Sequence, residues 1–156
     1  MDANLLQRLM SLNASYARCI DDDRIETWPD FFADDCIYRI TTAENYEQRL
    51  PASVIYARSK GMLRDRVSAL REASVYERQR YRHIVGVPTI DEAAGGDVRA
   101  ESPFVVVRIM RDGSSLLFAS GRYVDRLIDA GAELKLAERV VVCDSSSFDT
   151  LLALPL

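Results

Sequence analysis

The second half of the sequence restricts the fold most strongly, because it has the two-residue period of β-strands. Four runs rich in strand-forming residues follow one another there, at 81–90, 98–110, 116–127 and 134–143. Three short segments of turn-forming residues separate these runs, at 94–97, 112–113 and 129–131. Short connections join antiparallel neighbours, because a parallel crossover needs about a dozen residues or more. The pattern therefore predicts an antiparallel meander.

Two segments of the first half have helical periodicity instead. Apolar residues recur at steps of four and three from Leu5 to Cys19, which predicts an amphipathic helix over 5–20. Acidic residues at 21–23 would lie beside the negative end of its dipole, so we expect the helix to end there. The apolar residues Leu63, Val67 and Leu70 predict a second helix over 62–71.

Between these helices the sequence predicts a short helix and one strand. The short helix would hold Trp28, Phe31 and Phe32, with Pro29 near its first turn, and the strand would cover 36–40. Helices followed by a sheet define the α+β class. A twisted antiparallel sheet can curl around helices packed on one face, which would give a cone with an apolar interior. Without repeats or linkers, residues 1–156 are expected to form a single domain.

The charge and hydropathy of the chain exclude several classes of partner. The net charge is −4 and no basic block is present, which argues against binding to nucleic acid. No run approaches the roughly 18 apolar residues that a membrane-spanning helix needs. The N-terminus has no basic segment followed by an apolar run, so no signal peptide is expected. We therefore expect a soluble cytoplasmic protein without a membrane partner.

Residues suited to catalysis or metal binding are few. Cys19, Cys36 and Cys143 are far apart, which predicts buried free thiols in a reducing compartment and neither disulfides nor a metal site. The single histidine is His83, and no Walker A, dinucleotide-binding or nucleophile-elbow motif is present.

The segment 76–83 concentrates arginine and tyrosine around that histidine. It could recognise a protein partner, place His83 inside the cone as a general base, or form a solvated basic edge. The acidic residues at 21–23 could supply a pocket acid or base, or a solvated turn. Trp28, Phe31 and Phe32 could line a pocket, although such spacing is more typical of core packing.

Several motifs resemble the small (β) subunits of aromatic-ring-hydroxylating dioxygenases. The resemblance covers nearly the whole chain in order and spacing. It rests on Tyr16, Cys19-Ile20-Asp21-Asp22, Trp28-Pro29-Asp30-Phe31-Phe32, Cys36-Ile37-Tyr38-Arg39, Met62-Leu63-Arg64-Asp65-Arg66-Val67, Tyr81-Arg82-His83-Ile84, Val142-Cys143-Asp144-Ser145 and Ala153-Leu154-Pro155-Leu156. Within the family, the likeness is strongest to small subunits of the terephthalate, salicylate and anthranilate type, and to the terephthalate type above all.

The resemblance implies a fold and a role. The fold would be the cone-shaped NTF2-like (cystatin-like) one. The chain would form a homotrimer that caps a trimer of large (α) subunits in an α3β3 hexamer. The large subunit would carry the Rieske [2Fe–2S] cluster and the mononuclear iron, with electrons from NAD(P)H through a reductase. The complex would oxidise an aromatic ring. In this subgroup the substrate would be an aromatic compound that carries a carboxylate. The resemblance gives this chain no catalytic, cofactor or metal residue.

A ligand count agrees with an assembly role. A Rieske cluster needs two cysteines and two histidines, and a mononuclear iron site needs two histidines and a carboxylate. One histidine and three scattered cysteines cannot form either centre within this chain. We expect its function to lie in subunit contacts instead. The candidate contact residues are Arg80, Tyr81, Arg82, His83, Asp144, Leu154, Pro155 and Leu156.

The trimer should also leave apolar side chains on the outer face of the sheet. The candidates lie in 104–109, 116–118 and 140–142. Two other functions remain open at this point. One is a stand-alone dehydratase or isomerase of the same fold, using His83 or an aspartate of 21–23. The other is a protein that binds a small ligand in the cone, which a filled interior would exclude.

Overall fold

A computed structural model describes residues 3–72, 80–145 and 154–156 of the chain. The elements are α1 (Ala3–Asp21), a 3-10 helix (Ile25–Phe31), β1 (Phe32–Thr42), α2 (Ala43–Glu47), β2 (Ile55–Ala57), α3 (Lys60–Glu72), β3 (Arg80–Val85), β4 (Thr89–Ala94), β5 (Asp97–Ile109), β6 (Ser115–Asp129) and β7 (Leu134–Cys143). In these described ranges, no helix is both long and apolar enough to cross a membrane. The α+β class predicted from the sequence is confirmed.

The strands form one mixed sheet in the order β2-β1-β7-β6-β5-β3, with β4 also paired to β5. The predicted meander is confirmed for β5, β6 and β7, which pair as antiparallel neighbours. The sheet is not wholly antiparallel, because β1 pairs with β7 in parallel. The chain between β1 and β7 is long enough for a parallel crossing, so the short-turn argument does not apply to this pair.

The single strand predicted over 81–90 is wrong, because the chain leaves the sheet at residues 86–88. β3 pairs with the second half of β5, and β4 pairs with its first half. Gly86 donates its N–H to the carbonyl of Pro103 at 2.8 Å, and Pro88 has no N–H to continue the ladder. The two prolines therefore divide the predicted strand into two.

The helices agree with the sequence pattern, except for the short one. α1 and α3 extend the predicted helices by one or two residues at each end, and α1 ends at Asp21, as expected. The short helix is of the 3-10 type and ends at Phe31, so the prediction that it holds Phe32 is wrong. Pro29 lies in the second half of this helix rather than in its first turn. The Pro29 carbonyl accepts the backbone N–H of Phe32. Phe32 instead begins β1, fully buried.

The core lies between α1 and the inner face of the sheet. Its centre is a cluster of aromatic rings that meet edge to face, with Trp28 5.0 Å from Tyr38 and 5.6 Å from Phe32 between ring centroids. Tyr16 of α1 lies 5.9 Å from Tyr123 of β6. All five side chains are fully buried. The apolar interior expected from the sequence is thus built largely from aromatic residues.

Gly121 allows two strands of this sheet to approach closely. It lies in β6, opposite Cys143 of β7, and a Cβ atom there would overlap the carbonyl oxygen of Val142. At Gly61, in the first turn of α3, the nearest atom to the same position among the described residues is the Ser59 hydroxyl oxygen, at 3.7 Å.

We expect Gly121→Ala to destabilise the fold by about 3 kcal/mol or more, because backbone atoms would have to move. Gly61→Ala is the matched control and should change stability by no more than about 1 kcal/mol, because alanine is the better helix former. Urea unfolding followed by circular dichroism measures both variants. Equal stability of the two variants would contradict the close approach at Gly121.

Candidate functional site

His83 and Asp21 form a buried pair where α1 meets β3. His83 lies on the inward face of β3, beside Tyr81, and Asp21 is the last residue of α1. The His83 Nδ1 atom is 2.6 Å from Asp21 Oδ1, and the backbone N–H of His83 donates to Asp21 Oδ2 at 2.8 Å. The His83 side chain is 0% exposed and that of Asp21 is 3% exposed. The carboxylate therefore holds both the ring and the backbone of the histidine.

The other two aspartates of the acidic run have different partners. Asp22 is exposed and lies 3.4 Å from Arg18 Nε, one turn earlier on α1. Asp23 is exposed and receives two hydrogen bonds from the Arg71 guanidinium of α3. The run 21–23 thus divides into one buried carboxylate and two surface ion pairs. Ion pairs exposed in this way contribute little to the stability of the fold.

A second charged pair lies deeper, between β6, β7 and α1. The Arg139 guanidinium donates to both carboxylate oxygens of Asp125, at 2.8 Å and 2.7 Å, and to Asn13 Oδ1 at 2.7 Å. Neither charged side chain is exposed. Burial alone would lower the pKa of the Arg139 guanidinium, but the charge and hydrogen bonds of Asp125 raise it above its usual value. The Arg139 guanidinium therefore stays charged inside the protein.

Two tyrosines enclose this guanidinium. It lies 4.3 Å from the ring centroid of Tyr16 and 4.0 Å from that of Tyr123. Burial raises the pKa of both phenols, so both stay neutral at ordinary pH. Arg139, the tyrosines and the aromatic cluster fill the interior of the cone. This filling argues against the ligand-binding function in the cone that the sequence left open.

The sequence interpretation missed the Arg139–Asp125 pair. A signal was present, because Asp125 stands between Tyr123 and Leu127 at alternate positions of β6, and Arg139 stands two residues before Val141 in β7. The two-residue period places these side chains on the inward face. Trp28 and Phe32 are core residues, whereas Phe31 is partly buried and lines an open groove of about 710 Å3 beside α1. The pocket interpretation of these aromatics is therefore wrong for Trp28 and Phe32.

The three cysteines are free and buried, as predicted. Burial, with a contribution from the Asp144 carboxylate, raises the pKa of the Cys143 thiol to about 12. Burial also raises the pKa of Cys19 and of Cys36. Such thiols stay protonated and are poor nucleophiles. Within the part of the chain that the structure describes, no group of three or more His, Cys, Asp or Glu residues is placed to hold a metal ion.

Comparison with known proteins identifies the family. The model of the family described as ring hydroxylating beta subunit matches residues 15–150. The chain belongs to this family of beta subunits. The terephthalate 1,2-dioxygenase terminal oxygenase component subunit beta 1 of Comamonas sp is 48% identical over 149 residues, which cover 96% of this chain and 97% of the relative. The anthranilate 1,2-dioxygenase small subunit of Burkholderia cepacia is 36% identical and covers 93% of this chain and 90% of the relative.

A solved structure has the same fold. It comes from Novosphingobium aromaticivorans and is described as the beta subunit of an aromatic-ring-hydroxylating dioxygenase. It matches with a TM-score of 0.90 at 40% identity, over 97% of each chain. The resemblance and the NTF2-like fold inferred from the sequence are confirmed. The chain is a beta subunit of a ring-hydroxylating dioxygenase, which is an oxidoreductase complex, and a stand-alone dehydratase or isomerase is not favoured.

The predicted contact residues of this beta subunit divide into two groups. Arg80, Arg82 and Asp144 are exposed. The others are buried within the chain itself: Tyr81, His83, Leu154, Pro155 and Leu156. The neighbouring residues 76–79 and 153 lie outside the described residues. Only the exposed group presents side chains that another subunit could contact directly.

Residues 154–156 of the beta subunit are instead bound into its own core. The hydroxyls of Tyr16 and Tyr38 donate to the backbone oxygen of Leu156, at 2.8 Å and 3.0 Å. The Tyr38 hydroxyl also accepts the N–H of Leu156 at 3.1 Å. Leu154 and Leu156 join the same hydrophobic cluster as α1 and the sheet. Leu154 and Leu156 therefore stabilise the fold of the subunit. Any effect of these residues on subunit contacts would be indirect, through that fold.

The outer face of the sheet carries an apolar strip that partly matches the prediction. Ile84 of β3 is 60% exposed and pairs with Val105, and Leu117 of β6 is 63% exposed and pairs with Val107. Ile109 is partly exposed on the same face. Val140 and Val142 are buried, so the prediction for 140–142 is wrong. Phe104 and Val106 point inward, as the strand period requires.

The Arg139–Asp125 pair gives a sharp stability test. Arg139→Met should cost about 3–5 kcal/mol, because it leaves the Asp125 carboxylate buried and unpaired. The double variant Arg139→Met/Asp125→Leu should be more stable than the single one, because it removes the second buried charge as well. Chemical unfolding of the wild type and the three variants of the cycle gives the coupling energy. If the stability loss of the double variant equals the sum of the losses of the two single variants, the two side chains do not interact directly.

Proposed function

We propose that this chain is the non-catalytic assembly subunit of an aromatic-ring-hydroxylating dioxygenase, working in the cytoplasm. The observation that carries the proposal is the family match over residues 15–150, together with 48% identity to a terephthalate dioxygenase subunit along nearly the whole chain. Small subunits of such multi-subunit dioxygenases pair with large α subunits. In our proposal three copies of this chain form a trimer and cap three large subunits in an α3β3 hexamer.

The chemistry would take place in the large subunit. We propose that the Rieske [2Fe–2S] cluster and the mononuclear iron lie there, and that NAD(P)H supplies electrons through a reductase. The names of the two curated relatives support a carboxylated aromatic substrate, because terephthalate and anthranilate both carry a carboxylate on the ring. This chain has a single histidine, and each of the two iron centres needs two histidines, which agrees with a supporting role.

We assign the trimer contact to the outer strip formed by Ile84, Val105, Val107, Ile109 and Leu117. Exposed apolar strips of this kind mark association surfaces. The strip includes Ile84 of β3, which is the last strand in the order of the described sheet, and an edge strand is an aggregation hazard unless it is covered. A second copy of this chain is the occupant we propose. Arg80 and Arg82 lie on one side of the strip and Asp144 lies beyond Ser120 on the other. A head-to-tail ring would bring opposite charges of neighbouring copies together.

Co-expression tests the assembly directly. Produced together with its large subunit, the chain should elute with it as one heterohexameric species in size-exclusion chromatography. The chain purified alone should bind no iron and should have no oxygenase activity. Separate elution of the two co-expressed subunits would contradict the proposal, as would iron bound to the isolated chain.

Leu117→Asp tests the trimer contact. A buried carboxylate at a packed apolar interface is strongly unfavourable, so we expect the variant to be monomeric while its circular dichroism spectrum stays unchanged. Val54→Asp is the matched control, because Val54 is 51% exposed and lies next to β2, at the opposite edge of the sheet. It should keep the trimer. Light scattering measures both masses, and a Leu117→Asp trimer would place the interface elsewhere.

A further inference from the structure

The outer face of the sheet has a second exposed region near β2, away from the apolar strip. α2 lies over β1 and β7 there. The segment between α2 and β2 is fixed to β1 by two hydrogen bonds. The Thr41 hydroxyl donates to the carbonyl of Ala52 at 3.0 Å, and the N–H of Val54 donates to the carbonyl of Ile40 at 2.8 Å. This region is therefore a built part of the fold.

Arg39 lies under this segment and donates to no described residue. It alternates with the fully buried Tyr38 and Ile40 in β1, so its side chain points to the outer face. With Tyr46 and Leu50 it lines a cavity of about 580 Å3. The side chain is partly exposed, but its Nε atom is shielded from solvent and has no acceptor among the described residues. A shielded donor without an acceptor is costly, which favours an acceptor from outside the chain.

Arg49 lines the same cavity and is exposed. In the described ranges neither Arg39 nor Arg49 forms an ion pair, although Glu47 also lines the cavity. By contrast, Arg122 on the same face of the sheet lies 3.2 Å from a carboxylate oxygen of Glu101. A guanidinium offers its N–H donors in a planar fork that fits a carboxylate. Two unpaired guanidinium groups at one cavity therefore favour a carboxylate ligand.

The surroundings of the cavity favour a protein over a small anion. Leu50 is 43% exposed, and Tyr56, which is opposite Arg39 across β1 and β2, is 52% exposed. A small anion would leave both side chains in water, whereas a protein surface would cover them. Arginine and tyrosine are also enriched among the residues that carry most of the binding energy at protein interfaces. We call this region the β2-edge patch and define it as Arg39, Tyr46, Arg49, Leu50 and Tyr56.

The proposed assembly supplies a partner for the β2-edge patch. A small subunit of the hexamer has neighbours of two kinds, which are other copies of itself and a large subunit. The apolar strip and the charged residues on its two sides are assigned to the other copies. That strip includes β3, whereas β2 lies at the opposite end of the described sheet. The β2-edge patch is thus left for the large subunit.

We propose that the β2-edge patch is the docking site of the large subunit, and that Arg39 and Arg49 together bind an acidic side chain of that subunit. This inference rests on the proposed assembly role and adds the place and the chemistry of the contact. The acidic side chain would supply the acceptor that Arg39 lacks. Because the chain as a whole carries a net charge of −4, a local positive patch would direct an acidic segment to this face.

Site-specific photo-crosslinking identifies the occupant of the patch. The full chain is co-expressed with its large subunit, with a photoreactive p-benzoylphenylalanine placed at one position. In Tyr56→p-benzoylphenylalanine, an aromatic replaces an exposed aromatic, so the fold should be retained. After irradiation of the purified complex, we expect a crosslink to the large subunit. Leu117→p-benzoylphenylalanine is the matched control on the apolar strip and should crosslink to another copy of the small subunit.

Two arginine variants test the chemistry of the contact. Arg39→Gln should weaken the binding of the large subunit about thirtyfold or more, because a carboxylate of the partner would be left buried and unpaired. Arg49 has a positive φ of 56°, which glycine adopts without strain, so Arg49→Gly should fold normally. It should weaken binding several-fold and reduce the salt dependence of association.

Arg64→Gln is the matched control for these variants. Arg64 is exposed on α3, so the change in net charge is the same but lies outside the patch. It should bind the large subunit like the wild type. Mass photometry of the co-purified complexes over a dilution series measures the dissociation constants, and circular dichroism checks that each variant is folded.

Three results would overturn the inference. These are a crosslink from position 56 to another small subunit, no crosslink from that position within an intact complex, and wild-type affinity of Arg49→Gly together with Arg39→Gln. Failure of the assembly role has a different sign, because the two wild-type subunits would then elute separately. Co-elution of the wild-type subunits with any of the three results would reject the docking site alone.

Discussion

The buried pair of Arg139 and Asp125 is the interaction on which the interior depends. Two charges removed from water must satisfy each other with good geometry, and here they do so through two parallel hydrogen bonds. The two residues are direct neighbours across β6 and β7, so the pair favours one register for these strands. Asn13 binds the same guanidinium and donates to Ser102 of β5, which fixes α1 over the sheet. The Arg139 guanidinium thereby fixes how α1, β5, β6 and β7 are placed relative to one another.

The same inward-facing positions explain why the cone is a filled core. Tyr16 and Tyr123 pack on the guanidinium, and Tyr16 and Tyr38 bind the backbone of Leu156. The hydroxyls of Tyr16 and Tyr38 thus find partners inside the protein, which stabilises the burial of these two side chains. A beta subunit built in this way can offer a rigid outer face to other subunits. Two of its open spaces lie beside α1.

Sequence patterns predicted the elements whose evidence is local. The periodicity of α1, α3 and the β5–β6–β7 meander was sufficient, because each pattern repeats over ten or more residues. Three features were missed for a different reason. They are the start of β1 at Phe32, the division of 81–90 into two strands, and the parallel pairing of β1 with β7. Each depends on a partner distant in sequence, such as Pro103 opposite Gly86. For the site, the sequence named His83 and 21–23 but gave no means of choosing Asp21.

The sequence by itself determined the α+β class, the family and the shortage of metal ligands, because these follow from periodicity, motif order and a count of side chains. Only the tertiary structure decided which residues are inside. Leu154 and Leu156 are core residues, Val140 and Val142 are covered, and Arg139 is ionised in the interior. Burial depends on how α1 and the sheet meet, and that meeting is set by contacts more than one hundred residues apart, such as Asn13 with Arg139.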